Sequence, residues 1–248
     1  MAEFISKGVI NYKHYDVIDK IGFKKLIEMN RVLDKGGIKP DSMMSSSETF
    51  YDTPADLLSR SGIILSKVVE QGKCYLKIQK QSFIPQTFRT VEDVIFIHEC
   101  GLRDKIVDHS LYLVDGITTL FATNFTIDFD NVFKTVVPRL VISTKSNILR
   151  YTSVSGFRAN LHQEAITFDN KITRRKVKKD CLKIENISPK NYDKEYEDFV
   201  RLVEKHCKEL LPITEDTYDY AMRLTKKLEI VKDKNKKQKD KSLDRIEG

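Results

Sequence analysis

Two runs, Gly62-Ile-Ile-Leu-Ser-Lys-Val-Val69 and Lys73-Cys-Tyr-Leu-Lys-Ile-Gln-Lys80, flank the short polar stretch Glu70-Gln71-Gly72. Both are rich in β-branched and aromatic residues, and a glycine ends the link between them, so they spell a β-hairpin. The local commitment to antiparallel pairing limits what the rest of the chain can build. Further strands are expected at Glu3–Ile10, Ser45–Tyr51, Val136–Ser143, Ala165–Phe168 and Lys178–Ile187. Phe125, Ile127 and Phe129 alternate with Thr126 and Asp128, which predicts another.

Helical spacing is confined to three places. Ile21, Phe23, Leu26, Ile27, Met29 and Leu33 predict a helix from about Asp19 to Leu33, stopped by Gly36-Gly37. The segment Thr90–Phe121 reads as helix in pieces, interrupted by Gly101 and Gly116. Tyr196, Phe199, Val200, Val203 and Cys207 predict a helix within Tyr192–Leu211, ended by Pro212. Asp52-Thr53-Pro54 must turn the chain or start a helix, because proline restricts the residue before it. The pattern defines an α+β chain whose antiparallel sheet or barrel carries flanking helices.

Composition narrows the function classes. The net charge of +7 is uneven: residues 226–248 hold nine Lys/Arg against five Asp/Glu, leaving 34 basic and 31 acidic residues for the rest. The body is thus only mildly basic, and it does not indicate a nucleic-acid partner. The tail 226–248 reads as a solvated basic segment with little apolar surface to bury. Residues 1–225 are expected to form one domain with a helical insertion near 92–121. Cys74, Cys100, Cys181 and Cys207 are too widely spaced for a zinc signature and read as reduced thiols. No run approaches the ~18 apolar residues of a membrane helix, and no secretory pattern opens the chain, so the expectation is a cytoplasmic protein. There is no Walker A loop, nucleophile elbow or HExxH.

The segment Glu48-Thr-Phe-Tyr-Asp-Thr-Pro-Ala-Asp-Leu-Leu-Ser-Arg-Ser-Gly-Ile-Ile-Leu65 resembles the signature of the CYTH family, the triphosphate tunnel metalloenzymes. Ile166-Thr-Phe-Asp169 is similar to a later strand of that family and of the related polyphosphate-polymerase tunnel domains. Cys181-Leu-Lys-Ile-Glu185, before a C-terminal helix, is similar to its late acidic strand. The three matches occur in family order. They imply a closed eight-stranded antiparallel barrel that binds a triphosphate-containing small molecule or polyphosphate. Inward carboxylates would hold Mg²⁺ or Mn²⁺, and inward Lys and Arg would grip phosphate oxygens. In such a barrel every second strand residue points into the lumen. A triphosphate brings about four negative charges, which must be offset when it leaves water.

Carried over residue by residue, the resemblance assigns phosphate binding to Lys7, Lys77, Arg89 and Lys183, and metal binding to Glu3, Asp169 and Glu185. Arg89 has an alternative reading as a partner of Glu92 or Asp93. Asp128 and Asp130 are candidate replacement carboxylates, or else exposed positions of an alternating strand. Several family positions are changed. Ile5 stands where the family's opening strand carries its second glutamate, Ser66 and Val68 where its later "LRiR" strand carries two inward arginines, Ala165 for a further arginine, and Lys183 for a glutamate. One remaining carboxylate holds Mg²⁺ weakly, because that ion binds through several oxygens in strict geometry. The expected activity is metal-dependent triphosphate phosphohydrolysis from a degenerate site. The alternative is a catalytically inactive nucleotide- or polyphosphate-binding module, or one that presents a surface to a protein or nucleic acid.

Overall fold

The computed structural model describes residues 12–19, 21–29, 36–80, 96–121, 127–189 and 192–226. The expected opening strand, together with Glu3, Lys7, Arg89 and the tail beyond residue 226, lies outside them. The strands are β1 (Tyr12–Val17), β2 (Gly36–Asp52), β3 (Ile63–Glu70), β4 (Lys73–Lys80), β5 (Phe96–Glu99), β6 (Val137–Ser153), β7 (Arg158–Asn170), β8 (Arg175–Asn186) and β9 (Leu210–Pro212). The helices are α1 (Ile21–Glu28), α2 (Leu57–Arg60), α3 (Ser110–Phe121), α4 (Phe129–Thr135), α5 (Asp193–His206) and α6 (217–226).

All nine strands join one antiparallel sheet in the order β5-β4-β3-β2-β6-β7-β8-β1-β9. The expected antiparallel, barrel-like sheet with flanking helices is present, with its closure and strand count only approximated. Among the described residues the sheet has nine strands, and β5 and β9 remain as separate edges. It is nevertheless strongly curled. Phe50 of β2, Ile64 of β3, Leu140 of β6, Phe168 of β7 and Cys181 of β8 share one cluster with Tyr220 and Ala221 of α6. Five flat strands at ~4.8 Å spacing would spread over about 19 Å, whereas a helix is only ~10–12 Å across. One helix reaches all five because the sheet bends around it.

The hairpin forms as its residues dictate. Glu70 pairs with Lys73, and Gln71 and Gly72 both take positive φ, 51° and 79°. That two-residue turn matches the twist of the flanking strands. The Asp52-Thr53-Pro54 segment starts α2: the Asp52 carboxylate accepts hydrogen bonds from the backbone N–H of Thr53 at 2.7 Å, Leu58 at 2.8 Å and Ser59 at 3.0 Å. A carboxylate there satisfies donors that a helix start otherwise leaves unpaired.

Two helical layers cover the outer face. α1 and α5 bury Leu26, Tyr196, Phe199 and Val203 against Tyr15, Leu161, Leu182 and Ile184 of β1, β7 and β8. α2, α3 and α4 bury Leu58, Leu113, Ile117 and Phe133 against Ile63, Leu65, Leu76 and Ile78 of β3 and β4. Three local readings fail. Phe96–Glu99, expected within a helical stretch, is the edge strand β5, drawn into the sheet by its pairing with β4. Gly116 is buried inside α3, where a residue without Cβ allows close packing, so it does not break the helix. Phe129 begins α4 instead of continuing a strand, because the Asp128 side chain accepts the Asn131 N–H at 3.2 Å and caps the helix. Asp128 and Asp130 are therefore exposed groups at a helix start, not lumen carboxylates.

Candidate functional site

The outer clusters fix the phase of every strand. Since Tyr15, Leu161, Leu182, Leu65 and Leu76 face outward, their sequence neighbours face the concave side. On β1, β8 and β7 the register sets His14 opposite Lys183, and Lys183 opposite His162. These three make one row across the inner face. Glu164 and Glu185 sit two residues to either side of it.

The row is tied to those carboxylates. His14 Nε2 lies 3.1 Å from Glu164 Oε2, and His162 Nε2 lies 3.1 Å from Glu185 Oε2. Lys183 Nζ is 3.9 Å from Glu185 Oε1 and stands 5.0 Å from the centre of the Tyr12 ring. Ser146 Oγ faces His162 Nδ1 at 3.5 Å, and Asn160 Nδ2 donates to Glu185 at 3.5 Å. Deeper along β1 and β8, Lys179 pairs with Asp16 at 2.7 Å. On the other side of β6, Lys77 Nζ meets Glu48 Oε1 at 2.7 Å, and the buried Ser66 hydroxyl donates to the same oxygen at 2.6 Å.

These neighbours set the charge states. Burial alone would raise the Glu185 carboxyl, but the His162 hydrogen bond and the charges of Lys183 and His162 hold it down at about 2. Burial of Glu164 is likewise overcome, chiefly by the His14 hydrogen bond, so this carboxyl also lies below its ordinary value. Both carboxylates are ionised at neutral pH and already engaged.

Lys77, Lys183 and Glu185 thus fall on the inner face, Lys77 beside Glu48 on β2 and Lys183 beside Glu185 on β8. Asp169 does not join them. It occupies the opposite face of β7, out of phase with His162 and Glu164, and pairs with Lys171 at 2.7 Å. Among the described residues no three His, Cys, Asp or Glu side chains form a group able to hold a metal ion. The described part of the implied ligand set, Asp169 and Glu185, does not fit a Mg²⁺ or Mn²⁺ centre: the two lie on opposite faces, and Glu185 is taken by His162 and Lys183. Ser66 does stand on the inner face where an arginine was expected, and it serves Glu48.

The residues that sequence reasoning missed are His14, Glu48, His162 and Glu164. A signal for two of them was present. Asn160, His162 and Glu164 form a period-2 polar trio, legible once the strand is extended back from Ala165 to Arg158.

No protein-family model matches the sequence, and a search of curated proteins returns no match. Solved structures do match. A candidate adenylate cyclase from Bacillus halodurans aligns over 86% of this chain and 97% of its own, at 10% identity and a TM-score of 0.51. A Hippeastrum candidate adenylyl cyclase with dominant triphosphatase activity covers 78% of this chain and 87% of its own, at 12% identity and a TM-score of 0.38. The S. pombe RNA triphosphatase Pct1, solved with the Spt5 CTD, covers 82% of this chain and 88% of its own, at 10% identity and a TM-score of 0.33. The chain thus shares the overall fold of the first of these structures. Among the described residues no helix is long and apolar enough to cross a membrane.

Proposed function

We propose that this chain is a triphosphate- or polyphosphate-binding tunnel protein whose inner face grips phosphate through His14, Lys183, His162 and Lys77. The observation that carries the reading is the register row His14–Lys183–His162, which lines up three nitrogen donors on the concave face of a triphosphate-tunnel fold. A phosphate chain presents several anionic oxygens, and charge-assisted contacts to them are the strong ones. Lys7 and Arg89, outside the described residues, extend the same role.

Mg²⁺ or Mn²⁺ enters this reading as a companion of the triphosphate. Mg²⁺ keeps several waters and is commonly bound through substrate phosphates plus one or two carboxylates. Glu3, outside the described residues, is the remaining carboxylate for that contact. Binding therefore comes first in this chain, and metal-dependent phosphohydrolysis is its extension.

Calorimetric titration with tripolyphosphate, in chelator and again in Mg²⁺ or Mn²⁺, tests the reading. Phosphate release is followed in parallel from tripolyphosphate, ATP, GTP and thiamine triphosphate. Binding in chelator supports the His14–Lys183–His162 row. Release that appears only with metal adds the hydrolase activity. No binding under any condition removes the tunnel reading and leaves the barrel as a surface module for a protein or nucleic acid.

A further inference from the structure

Cys74 and Cys100 meet on the outer face at the edge of the sheet, far in strand order from the His14–Lys183–His162 row. Tyr75 pairs with Glu99, so the next step along the ladder sets Cys74 beside Cys100, and the Cys100 N–H donates to the Cys74 carbonyl at 3.0 Å. Their sulfurs are 3.3 Å apart. A disulfide requires about 2.05 Å, so the sulfurs need to approach by only about 1.2 Å. The backbone around Cys100 is fixed from below: Lys67 donates to the carbonyls of Leu102 at 3.0 Å and Asp104 at 2.8 Å. Cys181 and Cys207 belong to two other clusters, on the inner face and under α5.

We propose that Cys74 and Cys100 are an oxidisable pair, which a low-molecular-weight disulfide such as oxidised glutathione converts into an intrachain disulfide that staples β5 to β4. Cys100 is the more exposed thiol, so it reacts first. Its thiolate attacks one sulfur of oxidised glutathione and expels a glutathione thiolate, giving a mixed disulfide. The Cys74 thiolate then attacks the Cys100 sulfur and expels the second glutathione. Two protein thiols are oxidised, one small disulfide is reduced to two thiols, and the two cysteine protons pass to the departing glutathiones. Because the partner sulfur is already in place, the second step is intramolecular and outruns release of the adduct.

The bond would act at an edge of the sheet. β5 has four residues and, among the described residues, pairs with β4 alone. Edge strands with few partners open most readily. The closed loop would run from 74 to 100 and include Arg89. Burial and the Cys74 sulfur push the Cys100 thiol up to about 12, with Lys67 opposing and Asp104 adding to the shift. Tyr51 also faces the pair. Exchange is therefore slow at neutral pH and gains about tenfold per pH unit below that value, since only the thiolate reacts.

The test equilibrates the full chain with reduced and oxidised glutathione at pH 8, quenches in acid, alkylates in denaturant and maps the peptides. The expected product is one Cys74–Cys100 cross-link, with Cys181 and Cys207 alkylated. Oxidation should raise the unfolding midpoint by roughly 5 °C. Cys74→Ser and Cys100→Ala should each remove that rise. A persistent glutathione adduct without cross-link, a scrambled pairing, or a rise that survives Cys74→Ser overturns the proposal. The peptide map needs only the wild-type chain, so a variant that fails to fold does not obscure the result.

Discussion

The concave face of the sheet has two ends that share β6, β7 and β8. At one end Phe50, Ile64, Leu140, Ile142, Ile166 and Phe168 meet Tyr218, Tyr220 and Ala221 of the C-terminal segment. At the other, two to four residues further along the shared strands, stand Ser146, His162, Glu164, Lys183 and Glu185, with His14 of β1 beside them. Strand geometry does not distinguish them, since both ends obey the same alternation. They differ in what lies opposite. Where α6 covers the strands, apolar side chains are removed from water and stabilise the fold. Where no described helix covers them, the inward positions carry ionised pairs, whose burial costs free energy unless partners are close. One end holds the curl in place, and the other presents charges that a ligand can redistribute.

The largest effect separating the two ends should come from the apolar one. Phe168 is fully buried and stands edge-on to Tyr220, with ring centres 5.8 Å apart. Phe168→Ala removes that ring and leaves a cavity, so it should cost about 3–5 kcal/mol in urea unfolding. The His162–Glu185 pairing should persist in whatever fraction stays folded. A loss under about 1 kcal/mol would mean that α6 does not pack against the strands as a core.

The second effect is pH-dependent and belongs to the polar end. The folded Glu185 carboxyl lies at about 2, below its ordinary 4.5. A depressed carboxylate stabilises the fold above its unfolded pKa, and that contribution is lost as pH falls from 4.5 towards 2. The gap corresponds to at most about 3 kcal/mol at neutral pH. His162→Ala removes the hydrogen bond that does most to lower it. The Glu185 carboxyl should then titrate higher by NMR, and unfolding free energy should fall less steeply between pH 4.5 and 2. An unchanged titration would show that Lys183 and Asn160 hold the carboxylate ionised without His162.

The third effect is on binding. Lys77 exchanges its contact with Glu48 for a phosphate oxygen in the proposed complex, and a charge-assisted contact contributes about 1.5–3 kcal/mol. Lys77→Ala should weaken tripolyphosphate binding roughly ten- to hundredfold in calorimetry, with a much smaller change in stability. Glu3→Ala should weaken it only in Mg²⁺ or Mn²⁺. Equal losses with and without metal would show that Glu3 has no part in holding the cation.

The two ends also differ in how far they could be read from sequence. The hairpin at 62–80 was legible because a single glycine and two alternating runs settle both turn and register. Lys77, Lys183 and Glu185 fell on the inner face for the same reason: each sits in a strand whose apolar phase is plain. Asp169 was misplaced because Ile166 and Phe168 face inward under α6, which turns the odd positions of β7 outward. The carboxylate partners His14 and His162 went unread because a histidine on a strand signals nothing until its neighbour across the sheet is known. The start of β2 was hidden by Gly36, Gly37 and Pro40, poor strand formers that pair here beside a register shift between Pro40 and Ser42. Sheet closure was the least legible feature. It depends on which strands meet at the edges, and no local pattern carries that information.

The smallest effect marks where the C-terminal contribution to the curl ends. Within α6, Thr225 is fully buried; its Oγ1 accepts a hydrogen bond from Asn170 Nδ2 at 2.9 Å and donates to the Ala221 carbonyl at 2.9 Å. Asn170 closes β7 by accepting the N–H groups of Ile172 and Thr173 through Oδ1, each at 3.0 Å. These contacts tie the last turn of the helix to the end of a central strand. Beyond residue 226 the sequence turns to lysine-rich polar residues with few apolar ones to bury. A chain ending at Lys226 keeps Thr225, Tyr220 and Ala221, so its unfolding free energy should change by less than about 1 kcal/mol, as for most surface changes. Thr225→Val in that shortened chain should cost more than the truncation itself. It leaves the buried Asn170 amide only the weak Met222 sulfur at 3.7 Å as acceptor, a penalty of about 1–3 kcal/mol. A truncation that costs more than Thr225→Val would place part of the stabilising surface in residues 227–248, and the apolar end of the tunnel would then extend past α6.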